Sequence, residues 1–203
     1  MKSILISIQP KWVEKIASGE KTIEVRKTAP DVPFKACIYC TKAKPYLYRE
    51  ANPPFHLFLD SQLYKGDGYD DRLFSGKVIG EFICDKVDKI IPLQHTYYNY
   101  IGLPIANVTE YGIWNDDLAQ MCLKKKEIYN YGKGKMLYGL HISNLKIYDK
   151  PKKLREFYTK KTCNSCKESG YESTACVYDE DCKVPMPITR APQSWQYVEE
   201  LDE

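Results

Sequence analysis

The spacing of apolar positions changes character twice near the start of the chain. Residues 3–8 are rich in Ile and alternate only weakly, which predicts a strand. Pro10 suits the first position of a helix, and Trp12, Val13, Ile16 and Ala17 then recur at helical spacing. Gly19 fits the helix stop. Residues 22–27 alternate cleanly, with Ile23 and Val25 on one side and Thr22, Glu24 and Arg26 on the other. Glu24 and Arg26 therefore share a face, beside Lys21 at the helix-to-strand turn. Residues 34–41 predict a further strand. No period holds across residues 44–75, where Pro45, Pro53, Pro54 and the turn Gly66-Asp67-Gly68 predict a long inserted loop. A loop of that length is usually functional or mobile.

The pattern then returns. Residues 76–91 predict one long strand, with Gly80 marking a bulge or a close backbone approach. Two short helices are expected over residues 107–125 and a strand over 134–148. Lys150-Pro151 breaks that strand, residues 154–158 suit a single turn, and 194–198 form the last ordered piece. Strands dominate, and no regular alternation of strand and helix appears. The expectation is an α+β fold: one domain over residues 1–203, a small mixed or antiparallel β-barrel with short helices on its rim.

Composition narrows the class. The chain has 203 residues, 43% hydrophobic and 28% charged, which is ordinary for a globular protein and excludes wholesale disorder and a collagen-like fibre. No apolar run approaches the roughly eighteen residues that span a bilayer, so no membrane partner is expected. The apolar stretch behind Met1 is too short for a signal peptide, so a cytoplasmic location with reduced thiols is expected.

The net charge of +3 conceals segregation. Residues 1–48 carry nine basic and four acidic side chains, residues 49–123 six and eleven, residues 124–161 twelve and three, and residues 162–203 three and nine. The third block runs from Lys124, Lys125 and Lys126 to Lys160 and Lys161, with Tyr129, Tyr131, Tyr138, Tyr148 and Tyr158 interleaved. Cations follow a phosphate backbone and aromatic faces stack on bases, so this mixture suits RNA or a single strand. Solvated Lys-rich loops give the same composition.

Eight cysteines are present. Cys163, Cys166, Cys176 and Cys182 fall close together, and two pairs of thiolates complete a zinc tetrahedron. Four thiolates leave no open position for water, so the expected metal is a structural Zn in an insert spanning residues 163–183. A disulfide-stapled loop and free thiols are the alternatives. Cys37 and Cys40 sit three steps apart in one predicted strand and so point to opposite faces, which argues against a shared metal. Cys84 and Cys122 read as core, and His141 as packing. No Gly-rich phosphate loop, nucleophile elbow or His-Glu-x-x-His motif appears, and no organic cofactor is expected.

Several stretches, in order, resemble one family. Ser7-Ile8-Gln9-Pro10-Lys11-Trp12 through Gly19-Glu20-Lys21-Thr22-Ile23-Glu24-Val25-Arg26 is similar to the ASCH domain, whose first helix ends in a Gly-x-Lys-x-x-Glu-x-Arg signature. Gly76-Lys77-Val78-Ile79-Gly80-Glu81-Phe82 resembles its central strand, and Tyr138-Gly139-Leu140-His141-Ile142 its late strand. Arg190-Ala191-Pro192-Gln193-Ser194-Trp195, followed by Tyr197-Val198, resembles the tail of phage and prophage members. The resemblance implies a PUA-like barrel with a cleft beside the first helix and a role in binding RNA, another nucleic acid, or a modified nucleotide or base. Some small bacterial members hydrolyse the acetyl amide of N4-acetylcytidine with a Lys, a Thr three residues later and a distant Glu. The Lys matches Lys21, but the Thr position is Glu24, and the nearest hydroxyl belongs to Thr22.

The candidate binding residues are therefore Lys11, Lys21, Thr22, Glu24, Arg26, Gln193, Ser194 and Trp195. Lys21 and Arg26 suit a phosphate or a base edge, and Glu24 suits an exocyclic amine. Gln193 suits a base edge and Trp195 a stacking face. In the enzymatic alternative, Lys21 activates while Glu24 or Glu81 handles protons. A phage-borne protein-interaction factor is the third alternative.

Overall fold

Residues Lys2–Ile8 form β1, and their weak alternation has a physical cause: both faces of this strand are covered. The computed structural model describes residues 1–66, 68–98, 101, 104–159 and 187–200. On one face of β1, Ile4, Ile6 and Ile8 enter the main core; on the other, Leu5 enters a second one. Burial of each such side chain contributes about 1.5–3 kcal/mol. The helix α1 (Pro10–Ala17) and strand β2 (Ile23–Arg26) follow, then β3 (Phe34–Cys40) pairs in parallel with β1. Parallel neighbours need a crossover, and α1 with β2 supplies it. Val13 and Ile16 of α1 press onto the main core.

Residues 44–75 hold more order than their composition suggests. A hairpin of β4 (Tyr46–Arg49) and β5 (Leu57–Asp60) forms there, followed by a turn of helix, α2 (Tyr69–Arg72). Leu47, Tyr48 and Phe74 are fully buried, so the segment is anchored to the core.

The two long strands expected from the sequence are each broken at a corner. One divides into β6 (Val78–Cys84) and β7 (Val87–Ile90). Next come a hairpin, β8 (Pro92–Tyr98) with β9 (Pro104–Tyr111), and two helices, α3 (Asn115–Met121) and α4 (Lys125–Gly132). The other long strand divides into β10 (Leu137–His141) and β11 (Ser143–Lys152). A short 3-10 turn precedes β12 (Phe157–Thr159), and β13 is Trp195–Glu200. Strands β6 and β11 belong to a six-stranded sheet of order β11-β6-β3-β1-β13-β12, while β7 and β10 belong to a three-stranded sheet of order β2-β10-β7. Both segments thus leave one sheet for the other at the corner, where the His141 amide donates to the Lys86 carbonyl. The sheets share a core, since Leu140 packs with Ile4, Phe34 and Phe82. The result is a mixed α+β fold, rich in antiparallel pairing, in the manner of a partly closed barrel.

Gly80 meets its expectation. A Cβ there would collide with the Lys146 carbonyl, and the pairing of β6 with both β3 and β11 is irregular nearby. Of the two helices expected over residues 107–125, α3 lies within that range and α4 runs beyond it, because residues 104–111 pair as β9 instead. Among the described residues, no helix is long and apolar enough to cross a membrane.

Candidate functional site

Strand β2 is buried on both sides, and its two faces do different work. Ile23 and Val25 enter a third core with Tyr111, Met121, Ile128 and Leu137, which fastens α3 and α4 against the strand. Glu24 and Arg26 take the other face and line a cavity of about 660 Å³. Its walls come from five directions: Ser7, Ile8 and Gln9 at the end of β1, Trp12 of α1, Tyr39 and Thr41 around the end of β3, Leu123, Glu127 and Tyr131 around α4, and Ala191, Pro192 and Gln193 before β13.

Three charged side chains meet there almost out of solvent. Lys21 is 2% exposed, Glu24 5% and Arg26 8%. The carboxylate lies between the cations, with Oε1 3.0 Å from Arg26 Nη2 and Oε2 3.4 Å from Lys21 Nζ. Lys21 also donates to the Ile23 carbonyl at 2.9 Å and to the Met121 carbonyl at 2.6 Å. Two of its three ammonium protons thus have carbonyl acceptors, and Glu24 answers the charge as an ion pair. Arg26 Nη2 donates further to the Ser7 carbonyl at 2.6 Å. Its Nε is buried without a partner among the described residues, and the Thr41 hydroxyl on the same cavity is in the same condition.

The aromatic wall is tuned by this setting. Burial pushes the Tyr39 phenol above its ordinary pKa, with the neighbouring Cys40 adding to the rise. Burial also raises that of Tyr131, against the lowering influence of Arg26 and with the help of Glu24. Both phenols stay protonated at neutral pH and remain available as donors. Lys27 sits over the Tyr131 ring at 4.9 Å, and Lys11 and Lys21 sit over Trp12 at 4.2 and 5.3 Å.

Other candidates stand elsewhere. Lys11 is exposed at the mouth, held to Trp12. Thr22 precedes β2 and bonds Gln120 at 3.3 Å, in a shallow depression that shares Leu123 and Glu127 with the cavity but is separate from it. Gln193 lines the cavity, whereas the Ser194 carbonyl accepts from the Ser7 amide. Trp195 donates its indole N–H to Thr28 and packs edge-on against Tyr197 at 5.4 Å, so its ring serves the barrel. Glu81 is on β6, where it accepts from the Tyr148 hydroxyl at 2.7 Å and pairs with Lys35, outside the cavity wall.

The basic block divides in space. Its first part is α4 and its flanks, where Lys124, Lys125, Lys126, Lys133 and Lys135 are exposed and Tyr131 reaches the cavity. Another part lies on β11, an edge strand of the six-stranded sheet, where lysines also guard an open edge against pairing. Lys160 and Lys161 lie outside the described residues.

Cys37 and Cys40 lie on opposite faces of β3, one in each of the first two cores. Burial pushes the Cys40 thiol up to about 12 and the Cys84 thiol up to about 11. Cys122 is half-buried rather than core: it caps α3 in a left-handed conformation, with Sγ 3.8 Å from Glu20. His141 bonds Asp88 at 2.6 Å on the three-stranded sheet. Cys163, Cys166, Cys176 and Cys182 lie outside the described residues.

Thr41, Tyr39 and Leu123 escape a reading by residue type. Only their placement at the ends of elements brings them to the cavity, and nothing in their local sequence hints at it.

No protein-family model matches the chain, and no curated protein matches it. Among solved structures it is similar to the ASCH protein of Zymomonas mobilis, at 14% identity and a TM-score of 0.47, over 98% of this chain and 88% of that one. Two mutants of ZmASCH, one Tyr-to-Phe and one Ser-to-Ala, give TM-scores of 0.45 at 14% identity, covering 98% of this chain and 91% and 89% of theirs. At this degree of likeness nothing about the site is carried over from them.

Proposed function

We propose that the chain is an ASCH-type, non-catalytic binding module for RNA or for a nucleotide or base, and that the cavity on β2 is its ligand site. One observation carries the reading: a cavity of about 660 Å³, large enough for a nucleoside, has aromatic walls and the buried cations Lys21 and Arg26 among its lining residues. The exposed lysines and tyrosines of α4 adjoin it and suit a phosphate backbone. The test is fluorescence anisotropy with a labelled single-stranded RNA. Affinity is expected to fall steeply as salt rises, because each phosphate contact releases counterions. Absent or salt-insensitive binding would overturn the reading.

The amidohydrolase alternative finds less support. Lys21 is buried with two of its protons on backbone carbonyls, position 24 has no hydroxyl, and Glu81 lies off the cavity. The protein-interaction alternative has no particular observation behind it. For the cysteine cluster we infer one structural zinc, held by Cys163, Cys166, Cys176 and Cys182. Elemental analysis of purified protein is expected to give about one zinc per chain; a value near zero retires the site.

A further inference from the structure

We propose that the β8–β9 hairpin is a self-association surface, on which a second copy of this chain sets its own β8 antiparallel to β8 across a two-fold axis. An open edge strand offers unpaired N–H and C=O groups to any other chain, and proteins blunt such edges with charge, proline or brevity. Most edges of this molecule are blunted. β11 carries Lys146, Lys150, Pro151 and Lys152. β12 has three residues, and β7 carries Asp88 and Lys89 among its four. β4 and β5 have four residues each and end on Arg49 and Asp60. β2 has four residues, all buried.

The β8–β9 hairpin has none of these devices. Its strands are seven and eight residues long, and among the described residues they pair only with each other. A two-stranded sheet alone in water is marginal at best. Residues 90–109 contain no Asp, Glu, Lys or Arg: twenty positions, the longest such run in a chain that is 28% charged. Ile91, Leu93, Gln94 and His95 are exposed. Leu93 lies over Gly112, where a Cβ would come within 3.0 Å of it, and Trp114 two residues further on is 82% exposed. Uncovered apolar surface therefore adjoins the uncovered edge.

Of the two edges, that of β9 is the less open. Tyr111 at its end is buried with Ile128 of α4 and donates to the Lys135 carbonyl, and Glu110 beside it carries a charge. β8 carries no acidic or Lys/Arg side chain.

Charge and symmetry together select the occupant. RNA finds no cation along β8. A second copy fits for a specific reason: a two-fold axis normal to the sheet pairs the strand with itself, so any formal charge on it is brought up against its own kind. A charge-free strand is what self-pairing requires. Two hairpins joined in this way form a four-stranded sheet of order β9-β8-β8-β9, with His95, the central residue of β8, nearest the axis.

The experiment is sedimentation velocity on the full chain across a dilution series. The parent is expected to be a dimer at about 0.1 mM and to dissociate on dilution. His95→Lys and His95→Glu each place like charges at the axis and are expected to weaken the dimer about tenfold or more. An equimolar mixture of the two variants is expected to restore it, which misfolded variants could not do. Amide exchange locates the contact, with β8 amides expected to slow as the parent is concentrated. A parent that stays monomeric at about 0.1 mM overturns the proposal. So does a dimer that both variants leave intact, or a mixture no tighter than either variant alone. Protection of β8 that appears only when single-stranded RNA is added assigns the edge to RNA and overturns it too. Neither strand contributes to the cavity wall, so failure here leaves the binding-module reading as it stands.

Discussion

Cations occur in two settings on this molecule, and the settings assign them opposite roles. Lys21 and Arg26 are buried around Glu24, with defined partners at 2.6 to 3.4 Å. Lys124, Lys125, Lys126 and Lys133, a short distance along the surface, are exposed. A buried cation cannot be without an acceptor, so its geometry is fixed by the fold before any ligand arrives. An exposed lysine keeps its hydration and its rotamers, so it is free to meet a polyanion but holds no shape for one. The same residue types are thus held rigid inside and left mobile outside.

The contrast breaks hardest at its centre. Glu24→Gln keeps the shape of the side chain and removes the charge that both buried cations share. Taking one member from a buried ion cluster costs about 3–5 kcal/mol. For a chain of this size, that is a fall in Tm on the order of 10 °C. Denaturant and thermal unfolding check it. A loss below about 1 kcal/mol would mean that water reaches the trio and that its burial is only nominal.

How far this contrast is legible in the sequence depends on period. Alternation across residues 22–27 places Glu24 and Arg26 on one face and Ile23 and Val25 on the other, and β2 has that arrangement. The expectation for Thr22 does not carry over, because the strand begins one residue later and Thr22 turns to Gln120. The opposite facing of Cys37 and Cys40 follows from strand geometry alone. Helix α4 is hidden because only Ile128 and Gly132 are buried in it, too few apolar positions to show a helical period. The β4–β5 hairpin is masked by Pro53 and Pro54, which sit in its connection, outside both strands. The corners between β6 and β7 and between β10 and β11 leave the apolar pattern nearly unbroken, so each pair looks like one strand. Thr41 is invisible for a different reason: a cavity wall is assembled by tertiary packing from residues far apart in sequence.

Asp88 stands between the two settings. It is half-exposed and bonded to His141 and Lys86 at 2.6 and 3.2 Å, joining β7 to β10 and the corner beside them. Burial alone would raise its pKa, but the hydrogen bonds from His141 and Lys86 outweigh it and hold the carboxyl below its usual value. A depressed acid stabilises the fold above its unfolded pKa of about 3.9 and loses that contribution as pH falls through the lower folded value. Asp88→Asn is therefore expected to be less stable than the parent from about pH 5 to 8, with the gap closing below about pH 4. Solvent screening keeps the gap under about 1 kcal/mol. Urea unfolding across pH measures it. A gap that persists unchanged at pH 3 would assign the effect to packing, and the graded series from buried to exposed would lose its middle member.

The smallest effect on stability should accompany a large effect on binding. Lys125→Glu with Lys126→Glu reverses two exposed charges on the first turn of α4, away from Ile128 and the cavity wall. Stability is expected to move by no more than about 0.5 kcal/mol, since an acidic first turn suits the helix dipole. If these lysines track phosphates, affinity for single-stranded RNA falls by about tenfold or more. The slope of log affinity against log salt should also become shallower by about 0.7 for each phosphate no longer neutralised. If the cavity is the ligand site, nucleoside affinity should not follow, because Lys125 and Lys126 do not line it. Parallel loss of RNA and nucleoside binding would place Lys125 and Lys126 themselves within the ligand site, and the contrast between buried and exposed cations would collapse.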